Sequence, residues 1–374
     1  MMAGTLRTNG AAAWLGLALL PALGPRQALR LAERFGGPAG VLDASDADLR
    51  EAGMRGAARS AFLAARVGVV ERVRAELAAL EQAAAVLVAW DDAAYPERLR
   101  ALPDPPLVLT VRGDVDALAA PAIAVVGARR CSDYGRRVAG ALAADLAAAG
   151  LVVVSGLATG IDAAAHRGAL EAGGRTTAVL GTGIDRVYPA WHRPLARQIV
   201  RQGALVSELP CGAPALPHHF PRRNRVVSGL TLGTVVVEAA ERSGSLGTAR
   251  LALDQGREVF AVPGPVGVAG HVGCHRLIQE GAHLVTGAAD VLAVLAPALV
   301  PQMQAARAAR EAAALDGSER AVLAALESAP AHVDDVIRTT GLGPQTALET
   351  LLALELRGLV EQRPGMRFAR RWAA

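Results

Sequence analysis

The chain has 374 residues, 52% hydrophobic and only 3% aromatic, enough for two or three domains whose cores are built from Ala, Val and Leu. Its net charge is +4 and all 39 basic residues are Arg, so Schiff-base lysine chemistry and a GxxxxGK[ST] phosphate loop are excluded, while bidentate phosphate binding by Arg is not. Cys131, Cys211 and Cys274 are widely spaced and form no CxxC pair, which argues against a disulfide framework or structural zinc and fits a reducing cytoplasm.

Residues 1–82 read as helical. Ala11–Leu23 has the length of a signal-peptide core and is too short to span a bilayer; with only Arg7 before it and Gly24-Pro25 after it, it is expected to be a first buried helix. The stretch LPALGPRQALRLAERFG resembles a helix-hairpin-helix, and equally one corner of a small bundle.

From Val86 the pattern changes to short Val-rich runs alternating with helix-length segments. The runs include VLVAW (86–90), AIAVVG (122–127), LVVVSG (151–156), TAVLG (177–181), TVVVEA (234–239) and EVFAVPG (258–264). They are apolar without alternation, as strands covered on both faces are. Residues 83–296 are therefore predicted to form a Rossmann-like, doubly wound, mostly parallel α/β domain. Residues 297–317 read as a linker, and 318–374, with three helices and two strands joined at Pro364-Gly365, as a winged helix.

Ligands of open α/β sheets sit beyond the carboxyl ends of the strands. Four glycine-bearing loops follow strands here: Gly127 to Arg130, Ser155 to Asp162, Gly181 to Gly183 and Ser243 to Thr248. Bare amides and small hydroxyls favour phosphates. None is a GxGxxG fingerprint, so NAD and FAD are disfavoured and no cofactor is expected. The segment His219-Phe220-Pro221-Arg222-Arg223-Asn224-Arg225 adds a ring and three cations, and Arg129 and Arg130 lie in the first loop. Arginines that track a backbone beside an aromatic platform are the physics of single-strand binding.

These residues carry a resemblance. VGARRCSDYG (126–135), SGLATGIDAAAH (155–166), GTGIDRVYP (181–189), FPRRNRVVSGL (220–230), VVVEAAERSGSLGTA (235–249) and REVFAVPG (257–264) resemble the DprA (DNA-processing, Smf-type) family over nearly all of 95–290. The resemblance implies a homodimeric protein that binds and protects incoming single-stranded DNA in natural transformation and loads the RecA recombinase onto it. Carried over, Gly127, Arg129, Ser155 and Gly156 hold backbone phosphate. Phe220, Arg222, Asn224 and Arg225 line the strand path, and Ser243, Gly244 and Ser245 close it. Arg130 and Arg223 complete the expected DNA-binding set. His275, where the family often has Asn, and Gly247, where a bulky aliphatic is common, depart from the pattern.

Other constellations read as structural. Asp162 and His166, four residues apart, are expected to brace the glycine loop rather than form a triad, since no GxSxG elbow is present. Adjacent His218 and His219 are expected to diverge and to make no metal site. Glu208 and Glu238 end strands and are expected to orient arginines. The third winged-helix helix carries Glu349 and Glu355 against Arg357, whereas Arg363, Arg367, Arg370 and Arg371 sit in the hairpin, so a protein contact or an accessory backbone contact fits better than groove reading. The expected function is non-enzymatic single-strand DNA binding in the cytoplasm. The alternative on the same phosphate-binding edge is a phosphoribohydrolase with a Glu as acid/base.

Overall fold

The computed structural model describes residues 10–370 apart from 22, 314, 327–328 and 358, so the winged-helix arginine Arg371 lies outside the described residues. Two compact units divide after Met303.

The first unit opens with six helices: α1 (Gly10–Ala18), α2 (Pro25–Arg34), α3 (Pro38–Asp43), α4 (Asp46–Glu51), α5 (Gly56–Arg66) and α6 (Val69–Gln82). Their starts are written locally. Pro25 and Pro38 occupy the first helical turn, where the missing N–H costs nothing. Ser45 and Asp48 form a reciprocal capping box, with N–H to side-chain distances of 2.9 and 3.2 Å. Trp14, Leu17, Leu49 and Phe62 form the core, which extends onto the sheet through Ala89 and Leu107. The apolar Ala11–Leu23 stretch is thus largely a buried helix, as its sequence predicts.

The sheet has nine strands in the order β1-β2-β6-β5-β4-β3-β7-β8-β9. These are β1 (Val86–Ala89), β2 (Val108–Gly113), β3 (Ala122–Val126), β4 (Val152–Ser155), β5 (Thr176–Val179), β6 (Ala204–Ser207), β7 (Gly233–Val236), β8 (Glu258–Ala261) and β9 (His283–Leu284). All pairs from β6 to β9 are parallel, and β1 and β2 add an antiparallel edge. Between the strands run α7 (Glu97–Arg100), α8 (Asp133–Ala148), α9 (Ile161–Glu171), α10 (Arg193–Gln202), α11 (His219–Gly229), α12 (Gly244–Asp254), α13 (Val272–Gln279) and α14 (Ala288–Leu295).

Alternate residues of the same strand feed opposite cores: Ala122, Ala124 and Val126 enter one, Ile123 and Val125 the other. That is why the runs are apolar without alternation. The chain winds outward from β3 through β6 and then returns to β7 on the other side of β3, so the topological switch point lies between β3 and β7.

Residues 297–317, read from sequence as a linker, are mostly helical: a 3-10 turn at Pro297–Leu299 leads into α15 (Val300–Ala313). Pro297 begins its turn and Pro301 falls in the first turn of α15, positions where proline starts a helix instead of breaking one. Ala and Arg then propagate it.

The second unit contains α16 (Gly317–Ala325), β10 (Ala331–His332), α17 (Val333–Thr340), α18 (Pro344–Leu356), β11 (Val360–Arg363) and β12 (Arg367–Arg370). The two expected strands gain a third, β10, which pairs with β12 through only two residues. Val322, Val336, Leu351, Leu354 and Phe368 form a separate core, giving a winged-helix arrangement.

Candidate nucleic-acid interface

A cleft of about 840 Å³ opens at the switch point, where the loops after β3, β4 and β7 meet the start of α11. Backbone packing makes the glycines obligatory. A Cβ on Gly127 would stand 2.6 Å from Ile161 Cγ1 and 2.9 Å from the Glu238 carbonyl oxygen. Gly160, at φ +80°, lies where a Cβ would come within 2.2 Å of the Ala128 carbonyl oxygen. The Ala128 amide donates to Glu238 O at 2.7 Å and the Ile161 amide to Ala128 O at 3.2 Å, so the loops after β3, β4 and β7 are tied to one another.

Beneath them a buried polar frame sets their shape. Asp162 accepts from the Ala158 amide at 3.2 Å, and burial pushes its carboxyl above the usual carboxylate range, opposed chiefly by Arg223. His166 is fully buried, 2.6 Å from both Gly156 O and Thr176 Oγ1, and burial pulls its imidazole down to about 4. The neutral ring therefore donates Nε2–H to Gly156 O. At Nδ1 it competes with Val153 O, 2.7 Å from the hydroxyl, for the single Thr176 proton. Asp162 and His166 brace the glycine loop, as read from sequence.

The cleft gathers nine of the thirteen expected site residues: Gly127, Arg129, Gly156, Phe220, Arg223, Asn224, Ser243, Gly244 and Ser245. The Arg129 guanidinium sits 5.3 Å from the centre of the Phe220 ring, which in turn packs 5.8 Å from Tyr188. Ser243 caps α12; its Oγ lies 2.7 Å from Ser245 Oγ, and the helix start faces the cleft.

The other four expected residues lie elsewhere. Ser155 is completely buried and donates its hydroxyl to Val125 O at 2.7 Å. Arg225 is 8% exposed and held by Glu208 and, at 3.4 Å, by Asp104. Arg222 is exposed but pairs with Glu208 at 3.2 Å, and Arg130 is exposed outside the cleft lining. For Arg222 and Arg225 the reason is helical phase. Phe220 to Arg225 all lie on α11, where Phe220, Arg223, Asn224 and Val227 make an i, i+3, i+4, i+7 stripe on the cleft. Arg222 and Arg225 project to another face, toward Glu208.

Glu208 thus orients arginines, as expected. Glu238 does not: it accepts from the Ser132 amide at 3.1 Å and the Ser132 hydroxyl at 2.7 Å, anchoring the start of α8.

Sequence reasoning passed over Arg242 and Arg250, which line the cleft, and Tyr188 and Trp191, which line an adjoining cavity of about 220 Å³. The available signal was scarcity: two large aromatics, 50% and 71% exposed, stand out in a chain with so few rings.

Among known families, the DNA recombination-mediator protein A model matches residues 86–296, and the DprA winged helix domain model matches 306–366. The chain belongs to the DprA family. A relative named Protein Smf, from Escherichia coli strain K12, is 42% identical over 299 residues, covering 78% of this chain and 79% of the relative. The DNA processing protein DprA of Streptococcus pneumoniae R6 is 46% identical over 202 residues, 54% of this chain and 71% of the relative. Among solved structures, S. pneumoniae DprA aligns at a TM-score of 0.67 with 36% identity, over 75% of this chain and 96% of that one. Helicobacter pylori DprA, whose structure was described for its single-stranded DNA binding mode, aligns at 0.52 with 28% identity, over 56% of this chain and 95% of that one.

Proposed function

We propose that this DprA-family chain is a non-enzymatic single-stranded DNA binder acting in natural transformation, with the cleft at the β3–β7 switch point as its DNA site. The observation that carries the reading is the Arg129–Phe220–Tyr188 cluster, set beside glycine loops and the amide-bearing start of α12. Cation, ring and bare backbone together offer phosphate neutralisation and a base platform without hydrogen-bond readout of sequence. In this reading Gly127, Arg129, Gly156, Phe220, Arg223, Asn224, Ser243, Gly244 and Ser245 contact the strand. Arg130 and Arg222 flank it, and Ser155 and Arg225 hold the walls.

Protection of incoming DNA, loading of the RecA recombinase, homodimerisation and a cytoplasmic location rest on family membership. No helix among the described residues is long and apolar enough to cross a membrane. The division into a helical domain (1–82), a Rossmann-like core (83–296), a connecting segment and a winged helix (318–374) belongs to the same proposal. The phosphoribohydrolase alternative loses its two strand-end candidates, because Glu208 and Glu238 are engaged by neighbours outside the cleft lining; Glu241 does line the cleft, and an assay for released base tests it.

The test is fluorescence anisotropy with labelled oligothymidylate across a salt series. Binding is expected to be sequence-tolerant, to weaken steeply with salt, and to fall roughly tenfold in both Arg129→Ala and Phe220→Ala, the cost of about one stacking or charged contact. Unchanged affinity in both variants sinks the proposed site. Release of free base from nucleoside monophosphates by the purified protein sinks the non-enzymatic reading.

A further inference from the structure

A second basic groove, of about 710 Å³, runs along α10 on the first unit. Five arginines line it (Arg112, Arg186, Arg193, Arg197 and Arg201) against one carboxylate, Asp185. Asp185 is already engaged, accepting from the Gly212 amide at 2.8 Å and lying 4.0 Å from Arg186. Among the described residues, Arg112, Arg193, Arg197 and Arg201 form no ion pair with a carboxylate.

Arg193, Arg197 and Arg201 recur every four residues on the exposed side of α10, while Leu195, Ala196 and Ile199 are buried beneath them. Like charges at this spacing repel, and Arg193 sits in the first turn, where the helix dipole disfavours a cation. Both costs are relieved by a polyanion laid along the row. The helical rise places successive guanidinium origins about 6 Å apart, comparable with the spacing of phosphates along an extended single strand. The groove is also continuous with the cleft, because Tyr188 and Ala215 line both. Tyr188 is half exposed at the junction and packs on Phe220.

We propose that the α10 groove is a second segment of the strand path, binding the sugar-phosphate backbone of single-stranded DNA after it leaves the cleft over Tyr188. The inference rests on the reading of the cleft as a single-strand site. The cleft holds bases and phosphates closely, whereas the groove neutralises phosphates only and lengthens the occluded site.

The experiment compares wild type, the triple variant Arg193→Gln/Arg197→Gln/Arg201→Gln, and the corresponding triple Arg→Lys variant, with Arg129→Ala as the cleft control. Each is titrated with oligothymidylates of about 6 and about 20 nucleotides, one near the lower end of the roughly 4–16 nucleotides a single binding module covers and one beyond its upper end. Because the three side chains are exposed, unchanged thermal midpoints are expected to show that the variants fold. The Gln variant is expected to lose roughly tenfold or more in affinity for the long strand, and its log–log salt slope to fall by about 2, three phosphate contacts at about 0.7 each. Binding of the short strand, held by the cleft, stays near wild type, and the Lys variant recovers most of the slope because a point charge suffices.

If Arg129→Ala weakens binding of both strands and the Gln variant matches wild type at both lengths, the groove is overturned and the cleft reading stands. If wild type binds neither strand, the cleft reading fails and the groove with it. A Gln variant whose mass in light scattering changes while its DNA titrations do not would assign the row to a protein interface and overturn the proposal.

Discussion

Arg223 and Arg225 are two positions apart and do different work. Arg223 lines the cleft and donates to Val179 O, whereas Arg225 is clamped between Glu208 and Asp104. Removing Arg225 leaves Glu208, itself only 10% exposed, with just the partial compensation of Arg222. Arg225→Ala is therefore expected to cost about 3 kcal/mol of stability, as breakage of a buried ion pair does. Arg129→Ala, on an exposed side chain, is expected to change stability by less than about 0.5 kcal/mol while weakening DNA binding. Chemical denaturation of the two variants checks this; equal destabilisation would contradict the division of labour. Gly160→Ala, forced into a left-handed conformation against a carbonyl, is expected to destabilise by about 2 kcal/mol or more in the same measurement. The glycine loops were legible because spacing and chain position alone identify them. The roles of the arginines were not: a cation reads the same whichever way its helix turns it. Once α11 is known to be a helix, the i, i+3, i+4, i+7 stripe sorts them.

Helix α9 offers a pH test. His166, on its inner face, has a folded-state pKa of about 4 against an unfolded value of 6.5. Between those values the unfolded chain binds the proton and the folded one does not, so this residue's contribution is lost as pH falls from 6.5 toward 4, amounting to about 3 kcal/mol in all. Asp162, whose carboxyl is pushed up by burial, contributes the opposite slope. The measurement is therefore the difference in unfolding free energy between wild type and His166→Gln, expected to shrink as pH falls from 7 to 4. A difference independent of pH would mean that the imidazole is not held neutral. The sheet and its crossing helices were readable because period and composition coincide. The helix at Val300–Ala313 was missed because prolines flagged a break where they occupied a permissive first turn.

On the scale of the whole molecule, the cleft draws all its lining from the first unit, and the second has its own hydrophobic core. Deleting residues 304–374 is accordingly expected to leave affinity for a short single strand within about fivefold, a change under about 1 kcal/mol. A larger loss in anisotropy would place the winged helix in the DNA site. Its charges agree with the expectation. Arg357 pairs with Glu319 at 2.7 Å, Arg363 with Glu361 at 2.6 Å, and Arg367 donates to Pro330 O at 2.7 Å. On α18, Leu348, Leu352 and Leu356 are exposed where a groove reader carries cations. Composition alone hinted at this through Glu349 and Glu355, while the exposed leucines needed the helix's orientation to be seen.

The interleaving along α11 puts cleft-facing and wall-facing side chains within one short stretch. Asn224 faces the cleft, Arg223 lines it while its guanidinium also donates to Val179 O and offsets the buried Asp162 carboxylate, and Arg222 and Arg225 bind the acidic wall that keeps the helix in place. A library that randomises Asn224 alone is expected to stay mostly folded, whereas one that also randomises Arg223 strips the buried Asp162 of its counter-charge and is expected to lose many of its members to misfolding.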